Sequence, residues 1–477
     1  MSDSATVSEA KAAFERQRAY RFEFRNKGIE YRLELLGRLK TAIIEWQPKI
    51  EQALYDDLHR NSIETDLLDI TPVLSEIEFT LKNLWEWSQS TSVSTPLALR
   101  PGHSEIRYEP KGQVLVLGTW NYPFQLCINP LVAALCAGNT VILKPSELAP
   151  QTSRIIKLLC DRTFAPEVVS VLEGGVETSE ALLDLPFDHF FYTGSAKVGK
   201  IVAKAAAEHL ASVTLELGGK SPVIVDSTAD LEIAAEKIAW GKWSNSGQTC
   251  VAPDYLLVPK SKADLIVKYL EIAVIRLFSR GTGDFKASQD YCRLISEKHF
   301  LRIATAVRKS IEQGSVLRFG ELPGSETEKF MPPMILSQVK GHHAIMQDEI
   351  FGPVLPILEY DDSQGVSEAI EFVNSRDKPL ALYIFSQNRP TVERVLHETT
   401  SGGVVVNDVT LHLANPFLPF GGIGPSGQGR YHGQFGFKEF SHEKSVFYQS
   451  RLSGIKLMYP PYTDRTRKLL HWVRKLL

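Results

Sequence analysis

Residues 112–147, GQVLVLGTWNYPFQLCINPLVAALCAGNTVILKPSE, decide the fold. Two short apolar runs, VLVLG at 114–118 and TVILKP at 140–145, flank a helix-like stretch at 123–137. Runs without polar alternation suit strands buried on both faces, and such strands joined through a helix lie parallel. The pattern continues outward. VVSVLEG at 168–174 and HFFYTG at 189–194 read as strands, and 150–162 and 197–208 as helices. A second α/β block follows ELGGK, with PVIV at 222–225, a helix-like stretch at 229–243, LLVP at 256–259 and further units through LYIFS at 382–386. The expectation is an α/β protein whose ligands bind at the carboxyl ends of its parallel strands.

On the N-terminal side, residues 7 to about 90 read as helical scaffold, with Tyr31, Leu35, Leu39, Ile43 and Ile44 apolar at helix spacing. The Pro- and Ser-rich stretch 92–110 breaks that pattern and reads as a hairpin or an arm, and 400–440 is glycine-rich and irregular. A length of 477 residues calls for two or three packed domains. With 43% hydrophobic residues and a formal net charge of -3, the chain shows no sign of a polyanionic partner, and nucleic acid is not expected. The five cysteines lack a CxxC pair and are odd in number, so neither a metal site nor a disulfide framework is expected. The N-terminus lacks an apolar signal core, and no stretch of about 18 apolar residues follows. A reducing, cytoplasmic setting is the simplest reading.

Several residues carry potential chemistry. Cys250 lies in SNSGQTC among small and polar neighbours, which suits a nucleophile better than a buried hydrophobe. Asn121 in TWNYP follows a strand, where its amide could donate to a developing oxyanion or simply form a turn. Glu216 in TLELGGKSP stands between an apolar segment and two glycines; burial there would suit a general base, and a capping carboxylate is the alternative. A GxGxxG fingerprint is missing after the first strand, leaving TGSAKVG at 193–199 as the phosphate-loop candidate. There Gly194 and Ser195 open a helix whose N–H groups could meet a pyrophosphate. Lys144 and Glu147 in KPSE could read ribose hydroxyls or form a solvated salt pair.

Taken in order, TWNYP, ILKPSE, FYTGSAKVG, ELGGKSP, SNSGQTC, EIFGPVLP and PFGGIGPSG resemble the aldehyde dehydrogenase superfamily, over roughly residues 5 to 460. The short N-terminus, with RYHG and FSH, resembles its class 3 branch, which includes dimeric enzymes acting on fatty and aromatic aldehydes. The resemblance implies a Cys250 nucleophile, an oxyanion hole from the Asn121 side chain and Cys250 N–H, and Glu216 as base. It further implies Lys144 and Glu147 at the adenosine ribose, Ser195 at the pyrophosphate, Glu349 and Phe351 at the nicotinamide ribose and ring, and Trp120 with the Gly194 loop lining the cofactor cleft. The implied reaction runs from aldehyde to acid through a hemithioacetal and a thioester on Cys250, with hydride passing to the nicotinamide. NAD is favoured because Glu147 would repel a 2′-phosphate, although the branch often accepts NADP as well. Asp348 and Pro425 depart from the family's commoner residues, and Pro425 would bear on the substrate rim.

The implied organisation is a Rossmann-like cofactor domain of residues 1–91 and 111–216 and a catalytic domain of residues 217–435. Residues 92–110 and 436–455 would form a small oligomerisation element that makes a homodimer. The tail 456–477 ends in RTRKLLHWVRKLL, placing Leu469, Leu470, Trp472, Val473, Leu476 and Leu477 on one helical arc opposite basic residues, with Asp464 as a cap. Such a helix could lie on a membrane surface or cover the substrate entrance or a partner subunit. A cysteine hydrolase would also use Cys250 but needs a histidine partner, and none lies near SNSGQTC in the sequence. A CoA-acylating enzyme would pass the thioester to CoA; Glu216 speaks for water. Medium- to long-chain aliphatic aldehydes come first as substrates, with aromatic or isoprenoid-derived ones next.

Overall fold

Apolar residues three and four apart turn the N-terminal segment into long helices, Ser2–Asn26, Gly28–Leu58 and Thr71–Trp87, in the computed structural model, which describes residues 2–322, 325–452 and 454–474. The second helix buries Leu35, Leu36, Leu39, Ile43, Ile50 and Leu54 along one stripe. Ile44, expected inward, faces solvent instead, because at 100° per residue it falls beyond Leu36, Ile43 and Leu54, which mark the edge of the buried stripe. A π-helical turn, Asp66–Ile70, precedes the third long helix and carries the buried Asp69.

The strands read from the sequence form two large sheets. The first has the order Gly427–Gln428, Ser212–Glu216, His189–Thr193, Gln113–Leu117, Thr140–Lys144, Val169–Val171, and all its pairings are parallel except the first. The second runs Val316–Phe319, Met334–Ser337, Val354–Tyr360, Tyr255–Pro259, Pro222–Val225, Ala381–Phe385, Gly403–Val406, with only the outer Val316–Phe319 antiparallel. Thr91–Val93, His103–Pro110 and Ser441–Tyr448 make a small antiparallel sheet, so 92–110 is a hairpin whose far strand pairs with the C-terminal region. The α/β class is therefore as expected.

In the first sheet the chain steps outward from Gln113–Leu117 to Val169–Val171, then returns to the opposite side of Gln113–Leu117. The loops leaving Gln113–Leu117 and His189–Thr193 diverge at this reversal and open a crevice at the carboxyl ends of the strands. The C-terminal helix is Asp464–Arg474. Asp464 is its first residue and not its cap; the Thr463 hydroxyl accepts instead from the Thr466 N–H at 3.4 Å. Leu470 and Trp472 are exposed and Leu469 is half-buried, while the Val473 side chain and residues 475–477 lie outside the described part. Among the described residues no helix is long and apolar enough to cross a membrane.

Candidate active site

Four neighbouring parallel strands end in Lys144, Leu117, Thr193 and Glu216. Side chains just beyond these ends share one face of the crevice, and the second sheet's loops supply the other. A cavity of about 230 Å³ between them is lined by Trp120, Asn121, Gly194, Ser195, Glu216, Cys250, Glu349 and Phe351. Eight of the ten candidate residues thus meet in one place. Lys144 and Glu147 do not line it; they sit at the end of the next strand, with the buried Lys144 Nζ donating to Glu147 Oε2 at 2.6 Å.

Cys250 follows a tight turn in which Asn245 and Ser246 are left-handed, at φ 49° and 51°. A side chain at Gly247 (φ +75°) would strike the Gly352 carbonyl oxygen 2.3 Å away. Glycine therefore lets the turn press against the loop that carries Phe351. Burial pushes the Cys250 thiol up to about 12, with Glu349 and Glu216 adding to the shift. Glu216 is buried at the end of its strand, and among the described residues neither of its carboxylate oxygens has a hydrogen-bond partner. Burial, reinforced by Glu439, holds its carboxyl well above the usual range. Asn121 is also buried, and its Nδ2 donates to the Gln248 carbonyl at 3.0 Å. An amide has two donor hydrogens, so one remains for the cavity.

Opposite them, the Glu349 carboxylate lies against Gly218, where an added Cβ would come within 2.2 Å of its Oε2. Burial, then Asp254, pushes the Glu349 carboxyl up to about 8. Its loop is clamped from two sides. Arg302 donates to the Glu349 and Ile350 carbonyls at 3.1 and 2.6 Å. Lys220, ion-paired with Asp254, donates to the Ile345 and Asp348 carbonyls at 3.1 and 2.8 Å. Lys220 uses only the backbone carbonyl of Asp348, while the Asp348 carboxylate adds negative charge beside Arg302. Phe351, left-handed at φ 49°, stacks edge-on with Trp120 at 5.2 Å, and His299 packs on Trp120 at 4.8 Å. Burial lowers His299 to about 4, so it is neutral at pH 7. Pro425 faces an adjoining cavity with Ser195 and Glu349.

The residues also fit a dinucleotide. Ser195 caps the helix Ala196–Glu208, so that helix's free N–H groups point to the crevice, where an anionic phosphate is favoured. The Gly194 N–H bonds to the Glu216 carbonyl at 3.0 Å, tying the phosphate loop to the strand that carries the acid. Lys144 and Glu147 lie at the same edge, two strands beyond the one that leads into Gly194. His299, Arg302, Lys220 and Asp254 were not singled out from the sequence. His299 and Arg302 are one turn apart on an amphipathic helix, a spacing shared by ordinary packing residues; only the placement of Lys220 directly after ELGG was a signal.

A thiol, a buried unpartnered carboxyl and an amide donor in a crevice fitted to a dinucleotide define an NAD(P)-dependent dehydrogenase acting on carbonyl groups. The chain belongs to the aldehyde dehydrogenase family, whose model matches residues 2–446. It is 45% identical over 441 residues to the 4,4'-diaponeurosporen-aldehyde dehydrogenase of Staphylococcus aureus (strain NCTC 8325 / PS 47), covering 92% of this chain and 94% of the relative. The dimeric NADP-preferring aldehyde dehydrogenase of Mus musculus is 41% identical over 461 residues, covering 96% and 97%. The solved substrate-bound state of Staphylococcus aureus AldH superposes with a TM-score of 0.92 at 42% identity, covering 97% of this chain and 99% of that one. The protein is therefore an NAD(P)-dependent enzyme that oxidises aldehydes to carboxylic acids.

Proposed function

We propose that this enzyme oxidises extended apolar aldehydes through covalent catalysis on Cys250, with medium- to long-chain aliphatic or isoprenoid-derived aldehydes as the first class and aromatic ones next. The observation that carries the reading is the single cavity in which Cys250, Asn121 and Glu216 meet. The isoprenoid option is supported by the name of the staphylococcal relative, which acts on a diaponeurosporen-aldehyde.

Cys250 is the nucleophile. With its thiol held near 12, addition to the aldehyde is coupled to release of the thiol proton to solvent water, which reaches the half-buried Cys250 through the crevice. The free Nδ2–H of Asn121 and the Cys250 N–H stabilise the oxyanion, a contribution typically worth about 10²–10³ in rate. A bound NAD(P)⁺ supplies the hydride acceptor, and a thioester is left on Cys250. Glu216, whose raised pKa makes it a stronger base once ionised, takes a proton from the water that hydrolyses the thioester. Ser195 and the Gly194 loop hold the pyrophosphate, Lys144 and Glu147 the adenosine ribose, and Glu349, Phe351 and Trp120 the nicotinamide end.

We assign residues 1–91 and 111–216 to cofactor binding, 217–435 to catalysis, and 92–110 with 436–455 to assembly into a homodimer, as the name of the murine relative suggests. The short strand Gly427–Gln428 nevertheless returns to the first sheet. The tail 456–477 serves the entrance or a lipid surface. Deleting 463–477 separates these roles: loss of vesicle co-sedimentation indicates lipid, whereas unchanged sedimentation with altered KM for long aldehydes indicates the entrance.

The test of the function is NADH or NADPH formation across a panel of aldehydes. Turnover rising with chain length is expected, and no turnover with either cofactor would sink the reading. In the same assay Glu147→Gln should raise the kcat/KM ratio of NADP to NAD by about fivefold, since one unit charge near a 2′-phosphate is worth roughly 1 kcal/mol in water at 4 Å. An unchanged ratio would remove Glu147 from cofactor choice.

A further inference from the structure

A buried cation links the helical scaffold to the reaction centre. Arg60, at the end of the long helix Gly28–Leu58, has a fully buried side chain. Its Nη2 donates to the Asn121 carbonyl at 2.5 Å and to Asn245 Oδ1 at 2.8 Å. The Asn245 amide donates in turn to the Asn121 carbonyl at 2.9 Å and to the Gln248 carbonyl at 3.2 Å. Asn121 Nδ2 closes the ring on that same Gln248 carbonyl. The guanidinium also lies over the Tyr122 ring, 4.7 Å from its centroid, and the Tyr122 hydroxyl meets Thr249 Oγ1 at 2.7 Å. Arg60 therefore holds residues 121–122 on one side and the turn leading into Cys250 on the other.

The anchor behind Arg60 is equally definite. Its Nη1 donates to Asp69 Oδ2, and Asp69 Oδ1 accepts from the Gln125 N–H at 2.6 Å, at the start of the helix that follows Asn121. Glu64 Oε1 accepts from the Asn245 N–H at 2.6 Å, fixing the left-handed turn from the same helical segment. Fold stability alone is a poor reason for such an arrangement, because a buried ion pair is often matched or exceeded in stability by apolar residues of similar volume. What it supplies is a fixed relative placement of two loops from different sheets.

We infer that Arg60 is a positioning residue for carbonyl addition: through Asn245 and the Asn121 backbone it locks the oxyanion donor to the turn that presents the nucleophile. The inference rests on the roles given above to Asn121 and Cys250. Rates are sensitive to such placement, with displacements of about 1 Å able to cost on the order of 10²-fold.

The experiment is a double-mutant cycle on the full chain with Arg60→Lys and Asn121→Ala. Kinetics with NAD and an aliphatic aldehyde are accompanied by melting curves and NAD binding by fluorescence. Lysine keeps the charge but cannot reproduce the guanidinium fork. Asn121→Ala should lower kcat by about 10²–10³-fold. Arg60→Lys should lower it by roughly 10- to 100-fold with NAD affinity unchanged. The double variant should be little slower than Asn121→Ala alone, because Arg60 acts through a donor already gone. Asn245→Gly, which keeps the left-handed backbone and removes the amide link, should repeat this non-additivity and carries the test if Arg60→Lys does not fold. Full additivity of the losses, or an Arg60→Lys enzyme with unaltered kcat, overturns the inference while leaving Asn121 as the oxyanion donor. A silent Asn121→Ala overturns that role of Asn121 and the inference with it.

Discussion

Replacing Cys250 by alanine is expected to abolish aldehyde oxidation, lowering kcat by at least about 10⁴-fold, the scale on which loss of a covalent nucleophile is felt. Among the described residues that line the cavity, the thiol alone can form the carbon–sulfur bond that turns the aldehyde into a species from which hydride departs readily. Removing one sulfur atom from a partly buried position should leave NAD binding intact and the melting temperature within a few degrees of wild type. Retained turnover in Cys250→Ala would exclude thioester chemistry. The thiol's elevated pKa adds a prediction of sign. Because burial stabilises the protonated form up to about 12, alkylation of Cys250 in the free enzyme should be slow at neutral pH and accelerate as pH rises. A rate independent of pH from neutrality upward would show that the thiolate already exists at rest.

Glu216→Gln should produce the second large effect and a different kinetic picture. The amide cannot accept a proton from water, so hydrolysis of the thioester slows by on the order of 10²–10⁴-fold. Steps before the thioester do not need that base. Rapid mixing should therefore show a burst approaching one NADH per active site, followed by a much slower steady state. The pH profile carries the sign. A base works when ionised, and burial with Glu439 nearby raises the pKa of Glu216. Wild-type kcat, where hydrolysis limits it, should fall as pH drops through that raised value, and the Gln variant should lack this limb. A Gln variant that loses the burst together with the steady state would place Glu216 before the thioester.

Much of this molecule was legible because its strands are buried on both faces. VLVL, TVILK and HFFYT read as continuous apolar runs, and each became a central strand with every residue buried. The site was legible where one local motif carries one role. Cys250 lies among small residues, and Glu216 and Asn121 at strand ends; the crevice unites them because all three sit at the same edge of neighbouring elements.

What the sequence hides are the contacts made between distant segments. Arg60 and Asn245 are 185 positions apart, and a lone Arg after a long amphipathic helix has no local feature that distinguishes it from surface charge. Lys220 and Asp254 form their clamp only once two strands of the second sheet lie side by side. The two-residue strand Gly427–Gln428 sits in a glycine-rich loop without hydrophobic period, so nothing in its composition announces that it returns to the cofactor sheet. Ile44 shows the limit within a helix: adjacent Leu35 and Leu36 are both buried whereas only Ile43 of the pair 43–44 is, and the apolar pattern does not say where the edge of the buried stripe falls.

The most direct test is to mix Glu216→Gln enzyme with NAD and a long-chain aldehyde, quench in acid within the burst, and map the digested protein by mass spectrometry. An added acyl mass is expected on the peptide carrying Cys250, absent when NAD is omitted or Cys250 is alanine. A completed burst with no acyl group on Cys250, or with the acyl group on another residue, would contradict covalent catalysis on Cys250.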